Sequence, residues 1–133
     1  MIVAIADTHT AIWYVFSDPR LSKTASSFID DAIAAGDHIG VSAISLAEMV
    51  YLVEKSRIPS SALNDLHPAM SDPKSVLQHL PLDDAVAMRM PEVSRLDIPD
   101  LPDRVIAATA QLYRVPLLSR DGRIRSAGMT TIW

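Results

Sequence analysis

Short apolar runs rich in β-branched residues alternate with helical patterns along this chain, and few architectures can bury both. Ile2 to Ala6 is continuous, apolar and bounded by Asp7, which reads as a fully buried strand with an acid at its carboxyl end. Ile39 to Ala43 and Val115 to Ser119 have the same character, and Val76 to Leu82 and Met129 to Trp133 complete a set of five candidate strands. Between them lie helical patterns. Ala25, Phe28, Ile29, Ala32 and Ile33 keep the i, i+3, i+4, i+7, i+8 spacing of an amphipathic helix that starts near Ser22 and stops at Gly36. Ala11 to Phe16 reads as a helical segment stopped by Ser17-Asp18-Pro19, and Leu46 to Val53 as a strongly apolar helix. Residues 56 to 81 carry scattered prolines and predict short helices joined by turns. Asp83 is an N-cap for a helix that Pro91 ends or kinks. Asp100 caps an alanine-rich helix running to Tyr113, with Pro102 in its first turn, where the missing N–H does no harm. Arg120 to Arg123 reads as a turn. The alternation predicts parallel β-α units, hence an α/β fold: a three-layer α/β/α sandwich around a central, mostly parallel sheet.

With 133 residues, about half of them apolar, the chain is sized for a single domain spanning residues 1–133. The absence of cysteine excludes disulfide frameworks, thiolate metal sites and a cysteine nucleophile. The opening apolar run is too short for a signal peptide or a membrane span and has no basic leader, so the expectation is a cytoplasmic protein with no membrane association. The net charge of −4 is unevenly spread: up to Asp103 there are 7 Lys and Arg against 15 acids, whereas beyond it there are 5 Arg against the single Asp121. A cationic surface beside an acidic pocket suits a phosphate-bearing polymer; arginines that merely balance acids elsewhere would give the same counts.

In open α/β sheets ligands bind outside the carboxyl ends of the strands. Four carboxylates fall there in this layout: Asp7 and Asp121 after strands, and Glu48 and Asp103 near helix starts. Oxygen donors without thiolate or paired histidine suit Mg²⁺ or Mn²⁺, which leave room for a substrate phosphate and activate water. Each acid also has a structural use. Ser45-x-x-Glu48 is the pattern of a capping box, Asp100-x-x-Asp103 combines a cap with an acid at the helix's positive end, Asp121 precedes Gly122 in a turn, and Asp7 can cap the following helix. Spacing alone does not choose between these uses. His9, His38, His67 and His79 include no pair at metal-ligand spacing, although His9 lies two residues from Asp7. Trp13, Tyr14 and Phe16 fit either the core or a base-stacking ledge.

Four segments, taken in order, resemble the PIN-domain ribonucleases and, among them, the VapC-type toxins of toxin–antitoxin pairs. They are Ala6-Asp7-Thr8-His9-Thr10-Ala11-Ile12-Trp13 with Asp18-Pro19-Arg20-Leu21-Ser22; Val41-Ser42-Ala43-Ile44-Ser45-Leu46-Ala47-Glu48; Asp100-Leu101-Pro102-Asp103-Arg104-Val105-Ile106-Ala107-Ala108-Thr109-Ala110; and Pro116-Leu117-Leu118-Ser119-Arg120-Asp121. The resemblance spans nearly the whole chain and implies that Asp7, Glu48, Asp103 and Asp121 are the family's four acids, with Asp100 a secondary contributor. Pro102 departs from the family, standing where many relatives place an aromatic or another side chain. The resemblance further implies a homodimer, inhibition by a small VapB-type antitoxin, and cleavage of structured RNA such as tRNA or rRNA. On this reading Asp7, Asp103 and Asp121 hold the metal and Glu48 positions or deprotonates the attacking water. Arg104, Arg120 and Arg123 are candidates for guiding the RNA backbone. The rival readings are an acidic-pocket, Mg²⁺-dependent phosphatase or phosphoacceptor domain, and a binding module without catalysis. The phosphatase reading is weakened because Asp7-Thr8-His9 has no second Asp at position 9 and no lysine follows the later strands.

Overall fold

A computed structural model describes all residues 1–133. Strands β1 (Ile2–Ala6), β2 (His38–Ser42), β3 (Leu77–Leu80), β4 (Leu117–Leu118) and β5 (Thr131–Ile132) form one sheet in the order β3-β2-β1-β4-β5. Every pairing is parallel. The chain steps outward from β1 through β2 to β3, then returns to the other side of β1 for β4 and β5. This reversal puts the topological switch point between β1 and β4, where the diverging loops open a crevice.

The period-2 alternation of the strands separates two cores. Ala4, Ala6, Ile39, Val41, Leu77 and Leu118 face α1 (Thr8–Val15), α2 (Lys23–Ala35), α4 (Leu63–Ser71) and Met49 of α3 (Ala43–Glu54). Ile5, Leu80 and Leu117 face α5 (Asp84–Arg89), α6 (Leu101–Tyr113) and α7 (Gly122–Ser126) on the other side. The result is the three-layer sandwich expected from the alternation. Val105 to Ala110 are all buried; the alanines at 107, 108 and 110 let α6 lie close to the sheet. Gly40 leaves room on the second of these faces for two neighbouring side chains: a Cβ there would come within 2.5 Å of Leu80 Cδ1 and 2.7 Å of Ile5 Cδ1. No helix is long and apolar enough to cross a membrane.

Several local expectations hold. Ser22 caps α2, Gly36 ends it at φ 72°, Asp83 caps α5, and Pro91 falls in a 3₁₀ turn, Met90–Glu92, that follows α5. Others are corrected. Helix α1 starts at Thr8, directly after β1, because Asp7 caps it. Helix α3 starts at Ala43 with Ser42 as cap, so Ser45 and Glu48 form no capping box and Glu48 lies in the second turn rather than near the start. Residues 120 to 123 are not a simple turn: Asp121 caps the short helix α7. Strands β4 and β5 keep only two residues each.

Candidate active site

At the switch point, Asp7 follows Ala6, the residue that stands opposite Leu118 in the parallel pair. The Asp7 N–H donates to the Leu118 carbonyl (3.1 Å), and so does the Thr10 hydroxyl (2.9 Å). The Asp7 carboxylate caps α1 by accepting from the Thr10 N–H through Oδ1 at 2.9 Å, which leaves Oδ2 without a protein donor. The next strand repeats the device. Ser119 Oγ accepts from the Asp121 N–H (3.0 Å), and Asp121 Oδ1 caps α7 through the Arg123 N–H (2.9 Å). Asp100 Oδ1 caps α6 through the Asp103 N–H (3.1 Å), placing Asp103 one turn into the helix beside it. Capping and site-building are thus the same act here: fixing each helix start fixes a carboxylate in the crevice.

Together Asp7, Glu48, Asp100, Asp103 and Asp121 line a single pocket of about 420 Å³ with Thr8, His9, Trp13, Arg120 and Arg123. Glu48 reaches it from α3 and is held by a partner in α1. The Thr8 hydroxyl lies against Glu48 Oε1 and 2.9 Å from Ser45 Oγ. One hydroxyl has one proton, so with Glu48 ionised it goes to the carboxylate, and Ser45 donates to the Thr8 oxygen. Thr8 and Ser45 are both buried. Replacing Thr8 with Val should release Glu48 and strand the Ser45 hydroxyl, costing about 1–3 kcal/mol and slowing any Glu48-dependent turnover by about 10–100-fold. Denaturant melts and a rate assay measure the two effects, and Thr8→Ser should restore both.

The concentration of acids shows in their protonation. Burial, followed by repulsion from Asp100, Asp121, Glu48 and Asp7, pushes the Asp103 carboxyl up to about 6. Burial also raises Glu48, opposed by the Thr8 hydrogen bond and reinforced by Asp100 and Asp7; the nearby His9 acts the other way. Arg123 partly offsets the repulsion, 3.4 Å from Asp121 and 3.9 Å from Asp103, but its side chain is 66% exposed.

The three arginines separate. Arg120 and Arg123 line the pocket, and the Arg120 guanidinium lies 4.7 Å from the Trp13 ring centroid. Arg104 points elsewhere: its Nη2 donates to the carbonyls of Met90 (2.9 Å) and Val93 (3.2 Å), and its Nε is buried without a partner. It holds the 3₁₀ turn to α6 rather than reaching the pocket. Trp13 is 4% exposed and so is core rather than ledge. Two functional-site features had no reading in the sequence. The Thr8 clamp on Glu48 spans 40 positions, with only its adjacency to Asp7 as a signal. The pairing of Trp13 with Arg20, 5.1 Å from the ring centroid, had none.

A parallel sandwich whose helix-capping acids converge at the β1/β4 switch point defines a class, and known proteins of that class match this chain. The PIN domain family matches residues 4–128. The chain belongs to the PIN domain family. Within it the chain is of the VapC type: Ribonuclease VapC22 of Mycobacterium tuberculosis is 32% identical over 133 residues, covering 95% of this chain and 92% of that protein. Two solved structures share the fold. The DNA-bound VapBC of Salmonella typhimurium superposes with a TM-score of 0.73 at 19% identity, covering 98% of this chain and 97% of that one. VapBC2 of Rickettsia felis, bound to a DNA fragment from its promoter, gives 0.72 at 15% identity with the same coverage.

Proposed function

We propose that this protein is a divalent-metal-dependent endoribonuclease acting as the toxin of a toxin–antitoxin pair. The observation that carries this reading is the convergence of five carboxylates from four separate segments on one pocket at the sheet's switch point. The donor set fits a hard cation: all five acids offer oxygen, no thiolate is present, and the burial and repulsion that raise Asp103 are what a bound cation offsets. As oriented, the side chains do not form a closed ligand cluster. Asp7, Asp103 and Asp121 would hold Mg²⁺ or Mn²⁺, with Glu48 contributing through water and Asp100 in a secondary role. The ion would polarise the scissile phosphate and lower the pKa of the attacking water.

The chain's own residues supply the rest. Glu48, held by Thr8 and made more basic by burial, accepts the proton of the attacking water. The water oxygen bonds to phosphorus, the bond to the 3′-oxygen breaks, the departing oxygen takes a proton from solvent, and the products carry a 5′-phosphate and a 3′-hydroxyl. Arg120 and Arg123, exposed at the pocket's edge, meet the RNA backbone on either side of that bond. The VapC-type relationship supports structured RNA as substrate, a VapB-type antitoxin as inhibitor, a homodimer as the working form, and the cytoplasm as location. Incubating the purified protein with tRNA or rRNA in Mn²⁺ or Mg²⁺ should give discrete fragments with 5′-phosphate ends and none in EDTA. Turnover of a phosphomonoester with the RNA left intact would favour the phosphatase reading instead.

A further inference from the structure

Behind the acidic pocket, and sharing His9 and Trp13 with it as a common wall, lies a second cavity of about 210 Å³ completed by Arg20, Leu52, Arg57, Ile58 and Ile12. Its character is opposite to that of the first: it contains two arginines and no carboxylate. We propose that it is a nucleotide subsite, receiving the base of a residue next to the cleaved bond while Arg57 contacts its phosphate. This rests on the ribonuclease reading of the neighbouring pocket.

The cavity is built rather than incidental. Helix α3 ends at Glu54 with Lys55 as its C-cap, Ser56 takes the left-handed conformation at φ 57°, its N–H donates to the Val53 carbonyl (3.0 Å), and the Arg57 N–H donates to the Leu52 carbonyl (2.8 Å). That pair of bonds is a Schellman closure, which fixes Leu52 and Arg57 relative to one another across the cavity mouth. Leu52, Ile58 and Ile12 give it apolar walls suited to a base. Its volume lies below the 300–1,000 Å³ of sites for larger ligands, which suits one base rather than a larger molecule.

Its cations are not equivalent. Arg20 is held by Asp18 through Nε (3.1 Å) and Nη2 (2.8 Å), so its charge is largely answered. Its guanidinium lies over the Trp13 ring, as Arg120 does from the acidic pocket, so the indole is covered and the apolar contact for a base comes from Leu52 and Ile58. Arg57 is exposed and makes no side-chain hydrogen bond or ion pair, so it is the charge free to take a phosphate. The cation path from Arg123 and Arg120 to Arg20 and Arg57 passes the shared His9–Trp13 wall. A polyanion running along it would cross the acids at one point, where the cut is made.

The test uses the full chain in EDTA with an end-labelled, short single-stranded RNA read by fluorescence anisotropy. Arg57→Glu should weaken binding roughly tenfold or more and flatten the salt dependence by about one phosphate contact, while Arg57→Lys keeps most of the affinity. In Mn²⁺ the charge reversal should raise KM with little change in kcat. Unchanged RNA affinity and KM in Arg57→Glu would overturn the subsite, as would intact RNA binding accompanied by loss of binding to a protein partner. Cleavage by the parent with KM unmoved in the variant leaves the ribonuclease reading standing and removes the subsite. RNA binding that depends on Arg57 without cleavage in either metal does the reverse.

Discussion

Asp7→Asn should lower metal-dependent RNA cleavage by about 10²–10³-fold or more, the scale of losing a charged metal ligand, while leaving the fold intact. The substitution separates the two jobs of this side chain. Asparagine caps helices as well as aspartate does, so the bond from the Thr10 N–H to Oδ1 survives and α1 keeps its start. What disappears is the negative charge at Oδ2, the oxygen that has no protein donor. Circular dichroism melts should therefore match those of the parent, and the fragments seen on a gel should vanish. Cleavage at the parental rate would remove Asp7 from the machinery.

Asp103→Asn should make the metal-free protein more stable at neutral pH, not less. The folded-state carboxyl is raised to about 6, above its ordinary value, by burial and by four neighbouring acids. A raised acid contributes stability that is fully present below its unfolded pKa and is lost as pH rises through its folded pKa. At pH 7 to 8 the parent has lost that contribution and carries the repulsion; the amide never does. Because the pocket side of Asp103 remains open to water, which screens the repulsion, the gain is held to about 1–2 kcal/mol, a few degrees in midpoint. It should shrink as pH falls through 6 and vanish near 4. Magnesium should reverse the order, stabilising the parent by mass action and the variant little. Capping does not confound this result, since the cap of α6 is Asp100; Asp100→Ala, by contrast, should lose about 1 kcal/mol of cap. A lower midpoint for Asp103→Asn in EDTA at pH 8 would mean that burial and repulsion of the charged carboxylate do not govern the stability of the metal-free protein.

These outcomes turn on features of unequal visibility in the sequence. Asp7 at the end of an apolar run, Ser22 and Gly36 around an amphipathic helix, and Asp100 before an alanine-rich one are local signals, because strand ends and caps are chosen by neighbours in the chain. The sandwich followed from their alternation. The start of α3 was misplaced by one turn because Ser42 and Ser45 are both competent caps, and only burial of Ser45 against Thr8 decides between them. Helix α7 was hidden because five residues carry too little periodicity to outweigh Asp121-Gly122 as a turn signal. Arg104 looked like its basic neighbours, and its commitment to Met90 and Val93 depends on a turn packed 11 to 14 positions upstream. The layout placed four of the acids at the crevice, while the choice of a catalytic over a capping use came from the resemblance; the Thr8 clamp and the Arg57 cavity arise from segments some 40 positions apart, which no local pattern records.

The most direct test of a metal centre made of these carboxylates is a titration of isotopically labelled protein with paramagnetic Mn²⁺, read as line broadening across the amide spectrum. Broadening at low Mn²⁺ should begin at Asp7, Thr8, Asp103 and Asp121, spare the residues at the opposite end of the sheet, and be absent at the same concentration in Asp103→Asn. Broadening centred on another part of the surface, or equal in parent and variant, would contradict a metal centre at these acids.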